Sequence, residues 1–199
     1  MKLILASASP RRAELLRQAD ILFEVIKPSI SEEVGDANDP EDLVRQLAFK
    51  KALEVSSRLK SGYVLSADTI VVYGDQILGK PSDPDDARKM LRMLSGKQHT
   101  VITGLVLKDI STGCQEIGIS KTRVWLKVLT EQQINAYVAS GEPMDKAGAY
   151  GIQGKAALFT EKIEGCYFNV VGLPLSLLFE LMTRLEVPTW LSGKDDDNG

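Results

Sequence analysis

The stretch YVLSADTIVVY, which runs from Tyr63 to Tyr73, decides the fold of this chain. Its content of valine, isoleucine and tyrosine is typical of a β-strand buried in a sheet. Gly74 and Asp75 follow as a turn, and residues 76–78 are predicted to pair back onto the strand as a hairpin.

Asp68 interrupts this apolar strand at its centre. A carboxylate in such a position is costly unless it is paired, hydrogen-bonded or bound to a metal. Asp68 therefore marks a candidate metal or catalytic site. A strand kink, or an edge position at which Asp68 reaches solvent, stays open as the alternative.

Strands and helices alternate outward from this stretch. Further strands are predicted at residues 3–6, 23–26, 100–108, 117–128, 157–163 and 168–171, and helices are predicted to begin near Ser9, Asp39, Asp83, Thr130 and Pro174. Three of these helix starts combine a capping residue with a proline at the first helical position. The helix from Asp39 is expected to reach about Leu59. The mixture predicts an α/β fold with a mixed sheet.

The bulk composition limits the classes of function. The chain has 199 residues, 44% of them hydrophobic, which is enough to bury a core. Its net charge of -3 gives it no general electrostatic attraction to a nucleic-acid polymer. Its two cysteines form no disulfide framework, and the apolar run at the N-terminus is too short for a secretory signal. We expect a cytoplasmic protein without a membrane partner. The single histidine, His99, is expected in a strand or loop rather than in catalysis.

The segment from Ser7 to Arg12 places serines and two arginines where a strand ends and a helix begins. A helix N-terminus carries partial positive charge, so cations are disfavoured there unless an anion binds. Backbone N–H groups, hydroxyls and guanidinium groups together favour a phosphate site. A surface helix with solvated arginines is the alternative.

Two lysines are further candidates for anion binding. Lys51 falls on the apolar stripe of the helix that begins near Asp39, one turn beyond Leu47. It either extends along the apolar surface to solvent or reaches into a cleft to meet an anion. Lys80 follows the hairpin in Gly79-Lys80-Pro81 and is unremarkable by itself.

A glycine-rich loop spans residues 142–154. Its glycines allow a backbone to approach a ligand closely, although plain flexible loops contain them too. Gln153 offers both a donor and an acceptor, as the recognition of a base edge requires. Phosphate-binding groups, a buried acid and this amide together predict a nucleoside triphosphate ligand, although the chain has neither a Walker A nor a GxGxxG motif.

These motifs, in this order, resemble those of the Maf-like nucleotide pyrophosphatases from about Leu3 to about Leu185. The matching segments are ASASPRR at residues 6–12, Glu32-Glu33, Leu47-Ala48 with Lys51-Ala52, Ala67-Asp68-Thr69, Gly79-Lys80-Pro81, Leu94-Ser95-Gly96, DKAGAYGIQG at residues 145–154, and Val171-Gly172-Leu173-Pro174.

The resemblance implies a two-lobed α/β domain around an elongated mixed sheet, with the active site in a cleft. This single domain is expected to span residues 1–187, and residues 188–199 are expected to be a polar tail. The resemblance also carries an expected activity. It implies hydrolysis of a nucleoside triphosphate between the α and β phosphates with a divalent cation, Mg²⁺ or Mn²⁺, and a possible homodimer. At positions 69 and 153 the chain has Thr69 and Gln153, and in this it resembles the subgroup that acts on dTTP and UTP.

The resemblance also implies roles for single residues. Asp68 is expected to be the general base and a metal ligand, with Glu32 as its acidic partner for the cation. Asp68 cannot be a tight metal ligand and a free base at once, and the sequence leaves open which role dominates. The expected substrate-binding residues are Ser7, Ser9, Arg11, Arg12, Lys51, Thr69, Lys80 and Gln153; among them Arg11, Thr69 and Gln153 are expected to set specificity.

Two other functions fit the same residues. One is a non-catalytic nucleotide-binding regulator of cell division, although acids at 32 and 68 favour an enzyme because binding a triphosphate needs bases more than acids. The other is a house-cleaning pyrophosphatase for modified pyrimidine nucleotides, for which UTP is only the best common substrate.

Overall fold

A computed structural model describes residues 2–30 and 39–189. Within these ranges the strands are β1 (Leu3–Ala6), β2 (Glu24–Val25), β3 (Tyr63–Tyr73), β4 (Gln76–Leu78), β5 (Gln98–Asp109), β6 (Gln115–Leu126) and β7 (Thr160–Glu164). The helices are α1 (Pro10–Gln18), α2 (Pro40–Ser56), α3 (Pro84–Leu94), α4 (Glu131–Ala139), α5 (Tyr167–Val171) and α6 (Leu175–Arg184). None of these helices has both the length and the apolar character needed to span a membrane.

The strands form one mixed sheet in the order β2-β1-β3-β5-β6-β7, with β4 paired to β3. β1 runs parallel to β2 and β3, whereas the long strands β3, β5 and β6 run antiparallel to one another. The mixed α/β fold is therefore confirmed. β3 has the predicted bounds and forms the predicted hairpin with β4.

The predicted strand at residues 168–171 is wrong, because this segment belongs to α5. Its consecutive valines favoured a strand. The fully buried side chain of Asn169 instead donates to the Val101 carbonyl at 3.1 Å and to Thr122 Oγ1 at 2.9 Å, which holds the segment across the sheet. Gly172, with φ of 117°, then ends the helix.

Other elements are shorter than expected. β2 has two residues, α2 ends at Ser56, and β7 begins at Thr160 because Gly154–Leu158 forms a 3-10 helix. Helix ends fray and short strands need a partner along their whole length, so boundaries are the weakest part of a sequence prediction.

One face of the central strands is covered by α2. Successive side chains of a strand point to opposite faces, and Val64, Ser66 and Ile70 of β3 share the face that contacts α2. Ser66 Oγ donates to the Ala48 carbonyl of α2 at 2.6 Å. This bond, within an otherwise apolar contact, fixes the position of the helix along the strand.

The opposite face carries two separate cores. Leu65 and Ala67 of β3 pack with α1 and α6, whereas Val71 packs with α3 and α4. Thr69 lies between these two cores on the same face. The two groups of helices are the two lobes that the family resemblance implies.

Gly104 allows α2 to lie close to the sheet. It is the partner of Asp68 in the β3–β5 register, and a Cβ at this position would lie 2.6 Å from the Val44 carbonyl oxygen of α2. A contact that short requires the helix backbone to move. The glycine is therefore required by the distance between α2 and β5.

Gly104→Ala is expected to lower the free energy of unfolding by about 1–3 kcal/mol, because the added methyl group overpacks a backbone contact. Denaturant unfolding measures the loss. Gly79→Ala is the matched control, since the described atoms leave the space within 4 Å of its Cβ empty. Equal stabilities of the two variants would contradict the close-approach argument.

Candidate active site

A cavity of about 740 Å³ opens beside the middle of β3. Its walls come from the turn between β1 and α1, from α2, from the segment after β4 and from the glycine-rich loop. The volume is in the range of sites that bind small molecules and cofactors.

The edge of β3 at this cavity is shared by two strands that leave a gap between them. β1 pairs with residues 63–66, and β4 pairs with residues 71–73. Among the described strands, none pairs with residues 67–70 on this edge. Asp68 and Thr69 lie in the gap and point to opposite faces of the sheet. A ligand that lies across the gap can therefore contact both side chains.

Asp68 binds Lys51 on the face covered by α2. Lys51 Nζ donates to Asp68 Oδ1 at 2.6 Å, and the two side chains are 6% and 11% exposed. Lys51 therefore reaches into the cleft instead of extending to solvent, and Asp68 is paired instead of solvated at an edge. A buried ion pair of this kind adds little net stability over apolar packing, so its presence at a cavity favours a functional role.

Arg12 is buried and holds three parts of the site together. Nε donates to the Gly172 carbonyl at 2.8 Å, Nη1 to Ser7 Oγ at 3.1 Å and Nη2 to Thr69 Oγ1 at 3.0 Å. These bonds join the β1–α1 turn, β3 and the end of α5. Phosphate binding by Arg12 stays a prediction, and the positioning of Ser7 and Thr69 is what the geometry shows.

Arg11 lies nearer the surface and contacts the glycine-rich loop. Nη1 donates to Asp145 Oδ2 at 2.6 Å and Nη2 to the Asp145 carbonyl at 3.2 Å. Lys146 Nζ donates to Asp145 Oδ1 at 2.7 Å. Burial raises the pKa of the Asp145 carboxyl, but the hydrogen bonds from Lys146 and Arg11 outweigh it, so the net direction is downward. An ionised Asp145 thus links the two lobes at the cavity.

Neither Asp145 nor Lys146 was assigned a role from the sequence. Both line the cavity, and the Lys146 side chain is only 13% exposed. The signal was present, since an acid and a base adjoin the glycines of the loop. Charged pairs of this kind are common on solvated surfaces, so only the contact with Arg11 distinguishes this one.

The structure gathers the predicted substrate-binding residues around one cavity. Ser7, Ser9, Arg11, Arg12, Lys51, Asp68, Thr69, Lys80 and Gln153 all line it. Lys80 is exposed and Gln153 is half-buried. Glu32 lies outside the described residues, so its pairing with Asp68 stays a prediction.

The start of α1 is suited to an anion. Among the described contacts, the Ser9 side chain makes no capping bond, and the first turn of the helix contains no acidic residue. The partial positive charge of the helix N-terminus is therefore not offset by its own cap. Ser7 Oγ instead accepts a hydrogen bond from the Ser9 N–H at 3.1 Å, which shapes the turn.

Glu142 holds the glycine-rich loop that carries Gln153. Its carboxylate accepts hydrogen bonds from Tyr137 OH at 3.0 Å and from the Lys155 N–H at 3.2 Å. A Cβ at Gly154 would lie 3.0 Å from the same carboxylate, and the φ of this glycine is 74°. The loop is thus fixed at both ends, not a flexible linker.

His99 supports the same loop from within the fold. It is buried on β5, where its Nε2 lies 2.6 Å from Tyr150 OH. Its Nδ1 has no hydrogen-bond partner among the described residues. Burial lowers the pKa of His99 to about 4, so the ring is neutral at physiological pH. The histidine is therefore a strand residue with a packing role, as expected.

The acids of the cavity that belong to residues 2–30 and 39–189 are too few to form a metal site by themselves. The described residues contain no group of three or more histidine, cysteine, aspartate or glutamate side chains that could hold a metal ion. Among the described residues, the carboxylates on the cavity wall are Asp68 and Asp145, and each binds a cationic side chain. Mg²⁺ is usually held by one or two carboxylates together with substrate phosphates. The donor set therefore fits a cation that enters with a polyphosphate.

Comparison with known proteins identifies related chains. The family model described as Maf-like protein matches residues 2–185. A dTTP/UTP pyrophosphatase of Geobacillus sp. (strain WCH70) is 50% identical over 184 residues, covering 92% of this chain and 98% of that protein. A dTTP/UTP pyrophosphatase of Carboxydothermus hydrogenoformans is 48% identical over 179 residues, covering 90% and 96%. The solved Ham1 protein of Staphylococcus aureus is 12% identical over 71% of this chain and 98% of that chain, at a TM-score of 0.44, which supports no further argument.

Lys51→Met is expected to lower the free energy of unfolding by about 3 kcal/mol, because the Asp68 carboxylate then stays buried without a counter-charge. Lys51→Met combined with Asp68→Asn should recover much of that loss. Urea unfolding of the two single variants and the double variant measures the coupling. Additive losses would show that the two charges do not act as a pair.

The control for this cycle is the exposed pair of Arg92 and Glu131, whose side chains are 46% and 61% exposed. Arg92→Met removes the same kind of charge from a solvated pair, so its effect should be much smaller.

The buried His99 ring predicts that the protein loses stability on acidification. The ring takes up a proton near pH 6.5 in the unfolded chain but only near pH 4 in the folded protein. The unfolded state therefore binds more protons between these values, and the free energy of unfolding falls by about 3 kcal/mol as the pH drops through the window. Urea unfolding at about pH 7 and at about pH 4 measures this difference in the free energy of unfolding.

His99→Gln removes the titrating group but can still form a hydrogen bond with Tyr150. The variant should show a smaller loss between the two pH values, because carboxyl groups contribute alike to both proteins. An identical pH dependence of wild type and variant would exclude His99 as the cause.

Proposed function

This chain belongs to the Maf-like protein family, and we propose that it is a nucleoside-triphosphate pyrophosphatase that hydrolyses dTTP and UTP to the monophosphate and pyrophosphate. The family match covers nearly the whole chain. Relatives at about half identity carry the name dTTP/UTP pyrophosphatase. The cavity residues described above support the same activity.

One observation carries the proposal: a buried carboxylate and several cations line the same cavity. Asp68 lies on the sheet, while Arg11 and Lys51 come from the first two helices and Lys80 and Lys146 from the segments opposite. A triphosphate carries several negative charges, which these groups can offset from both sides. A site that only bound a triphosphate would have no need of the carboxylate.

The chemistry follows from this arrangement. Asp68 accepts a proton from a water molecule as the water attacks the α-phosphorus in line with the leaving pyrophosphate. Lys51, which donates to Oδ1, fixes the orientation of the carboxylate. Arg11, Lys80 and the N-terminus of α1 hold the non-bridging oxygens and offset the charge that develops on the leaving group.

A divalent cation completes this proposal. Mg²⁺ or Mn²⁺ prefers oxygen ligands, and the proposed ligands are Glu32 and Asp68, of which Asp68 binds the cation only weakly while it acts as the base. When bound, the cation supplies Lewis-acid stabilisation of the phosphate oxygens. If it enters with the triphosphate, one protein carboxylate on the described part of the cavity wall is sufficient.

Three further expectations stay predictions from the resemblance or the composition. They are a homodimer, a location in the cytoplasm, and a polar tail at residues 188–199, of which residues 190–199 lie outside the described part of the chain.

The test is a panel of canonical and modified nucleoside triphosphates, each assayed for pyrophosphate with Mg²⁺ and with Mn²⁺. We expect pyrophosphate release that is fastest for dTTP and UTP. A modified pyrimidine that exceeds both would indicate the house-cleaning role. Binding of triphosphates without any release would favour the non-catalytic regulator.

Asp68→Asn in the same panel should lose most of the turnover, by about 10²-fold or more, because the amide cannot accept the proton. Asp75→Asn, the same change at an exposed turn of the β3–β4 hairpin, is the matched control and should keep its rate. Near-normal pyrophosphate release by folded Asp68→Asn would remove Asp68 from the mechanism.

A further inference from the structure

A chain of hydrogen bonds leads from Arg12 across two threonine hydroxyls to a backbone carbonyl. Arg12 Nη2 lies 3.0 Å from Thr69 Oγ1, Thr69 Oγ1 lies 2.9 Å from Thr103 Oγ1, and Thr103 Oγ1 lies 3.4 Å from the Asn169 carbonyl oxygen. Thr103 is the partner of Thr69 in the β3–β5 register and is fully buried. Of the two threonines, Thr69 lines the cavity and Thr103 does not.

The hydroxyl of Thr69 has one hydrogen and two lone pairs. A guanidinium group can only donate, so Arg12 uses one lone pair of Thr69. The contact with Thr103 uses a second of these three hydrogen-bonding sites, either the hydrogen or the other lone pair. The third site of the Thr69 hydroxyl is left for a ligand. The direction of the hydrogen bond between Thr69 and Thr103 decides whether this third site is a donor or an acceptor.

The two directions differ by one hydrogen bond. If Thr69 donates to Thr103, then Thr103 can donate to the Asn169 carbonyl, whose other bond comes from the Gly172 N–H at 3.0 Å. Thr69 then presents a lone pair to the cavity. If Thr103 donates to Thr69, the bond to Asn169 is lost and Thr69 presents its O–H. The first direction keeps one more buried hydrogen bond and is therefore favoured.

We propose that Thr103 is a positioning residue that fixes Thr69 as a hydrogen-bond acceptor, so that the cavity favours pyrimidine bases that carry a ring N–H. Uracil and thymine have a hydrogen on N3, whereas cytosine has a lone pair there. This inference rests on the proposed pyrophosphatase function and assigns the basis of its base selection. A site built to pair with a donor rejects an analogue that lacks it, because its own polar group is left unpaired.

Gly172 keeps the approach to this hydroxyl open. A Cβ at Gly172 would lie 3.6 Å from Thr69 Oγ1 and 3.7 Å from Arg12 Nε. A longer side chain would extend beside the hydroxyl, and the φ of 117° disfavours any residue other than glycine.

The test compares kcat/KM for UTP with that for CTP in wild type, Thr103→Val and Thr103→Ser. Thr103→Val keeps the volume but removes the acceptor of the Thr69 hydrogen, so the UTP to CTP ratio should fall by about fivefold or more. Thr103→Ser keeps the hydroxyl and should keep the ratio. Ser66→Ala is the control: it removes another buried hydroxyl of the same strand pair, bonded to Ala48, and should leave the ratio unchanged.

A double-mutant cycle separates positioning from general damage. Thr69→Val should also lower the ratio, and Thr69→Val with Thr103→Val should lower it no further, because Thr103 acts only through the Thr69 hydroxyl. A further fall in the double variant would overturn the proposal. If Thr103→Val does not fold, Thr103→Cys serves instead, since a thiol is a weak hydrogen-bonding group.

An unchanged ratio in folded Thr103→Val or Thr103→Cys would overturn the proposal. So would a wild-type protein that hydrolyses UTP and CTP equally well, although the pyrophosphatase function would then stand. A protein that releases pyrophosphate from no nucleoside triphosphate would remove the proposed function, and this inference with it.

Discussion

The Asp68 carboxylate keeps a buried position because Lys51 lies 2.6 Å from it, and this contact depends on how closely α2 approaches the sheet. Gly104 permits the approach, since a Cβ there would lie 2.6 Å from the Val44 carbonyl oxygen. Ser66 fixes the helix along the strand through its bond to Ala48. A helix set farther from β5 would leave the carboxylate without its ammonium partner, at a large cost in desolvation. The proposed base therefore depends on the absence of a side chain on the neighbouring strand.

The position of the cavity follows from the pairing of β3. Its edge is occupied first by a parallel strand and then by an antiparallel one, and neither reaches residues 67–70. Open sheets commonly bind ligands where the strand connections change direction. Here the turn after β1 brings the start of α1 to the gap, and the glycine-rich loop closes the other side. Cations from both lobes therefore meet at one place.

Short sequence patterns predicted the features that depend on residues close together in the chain. The β3–β4 hairpin follows from apolar content and a turn, Asp68 from the cost of a buried charge, and Lys51 from helical periodicity. The sequence did not predict α5, because its valines favour a strand until the cross-sheet bonds of Asn169 are known. Gly104 and Thr103 were missed for a related reason: their importance lies in the register between β3 and β5, which no short window contains.

Asp68 and Thr69 are consecutive, yet their side chains contact different layers of the molecule. Asp68 belongs to the layer of α2, and Thr69 to the layer of α1 and α5. Substitutions that repack one layer need not disturb the other. If Thr69 selects the base and Asp68 is the general base, as proposed, substrate preference can change in evolution or by redesign while the catalytic residue stays the same. A single stretch of strand with an unpaired edge would then hold the group for selectivity and the group for chemistry on opposite faces of the sheet.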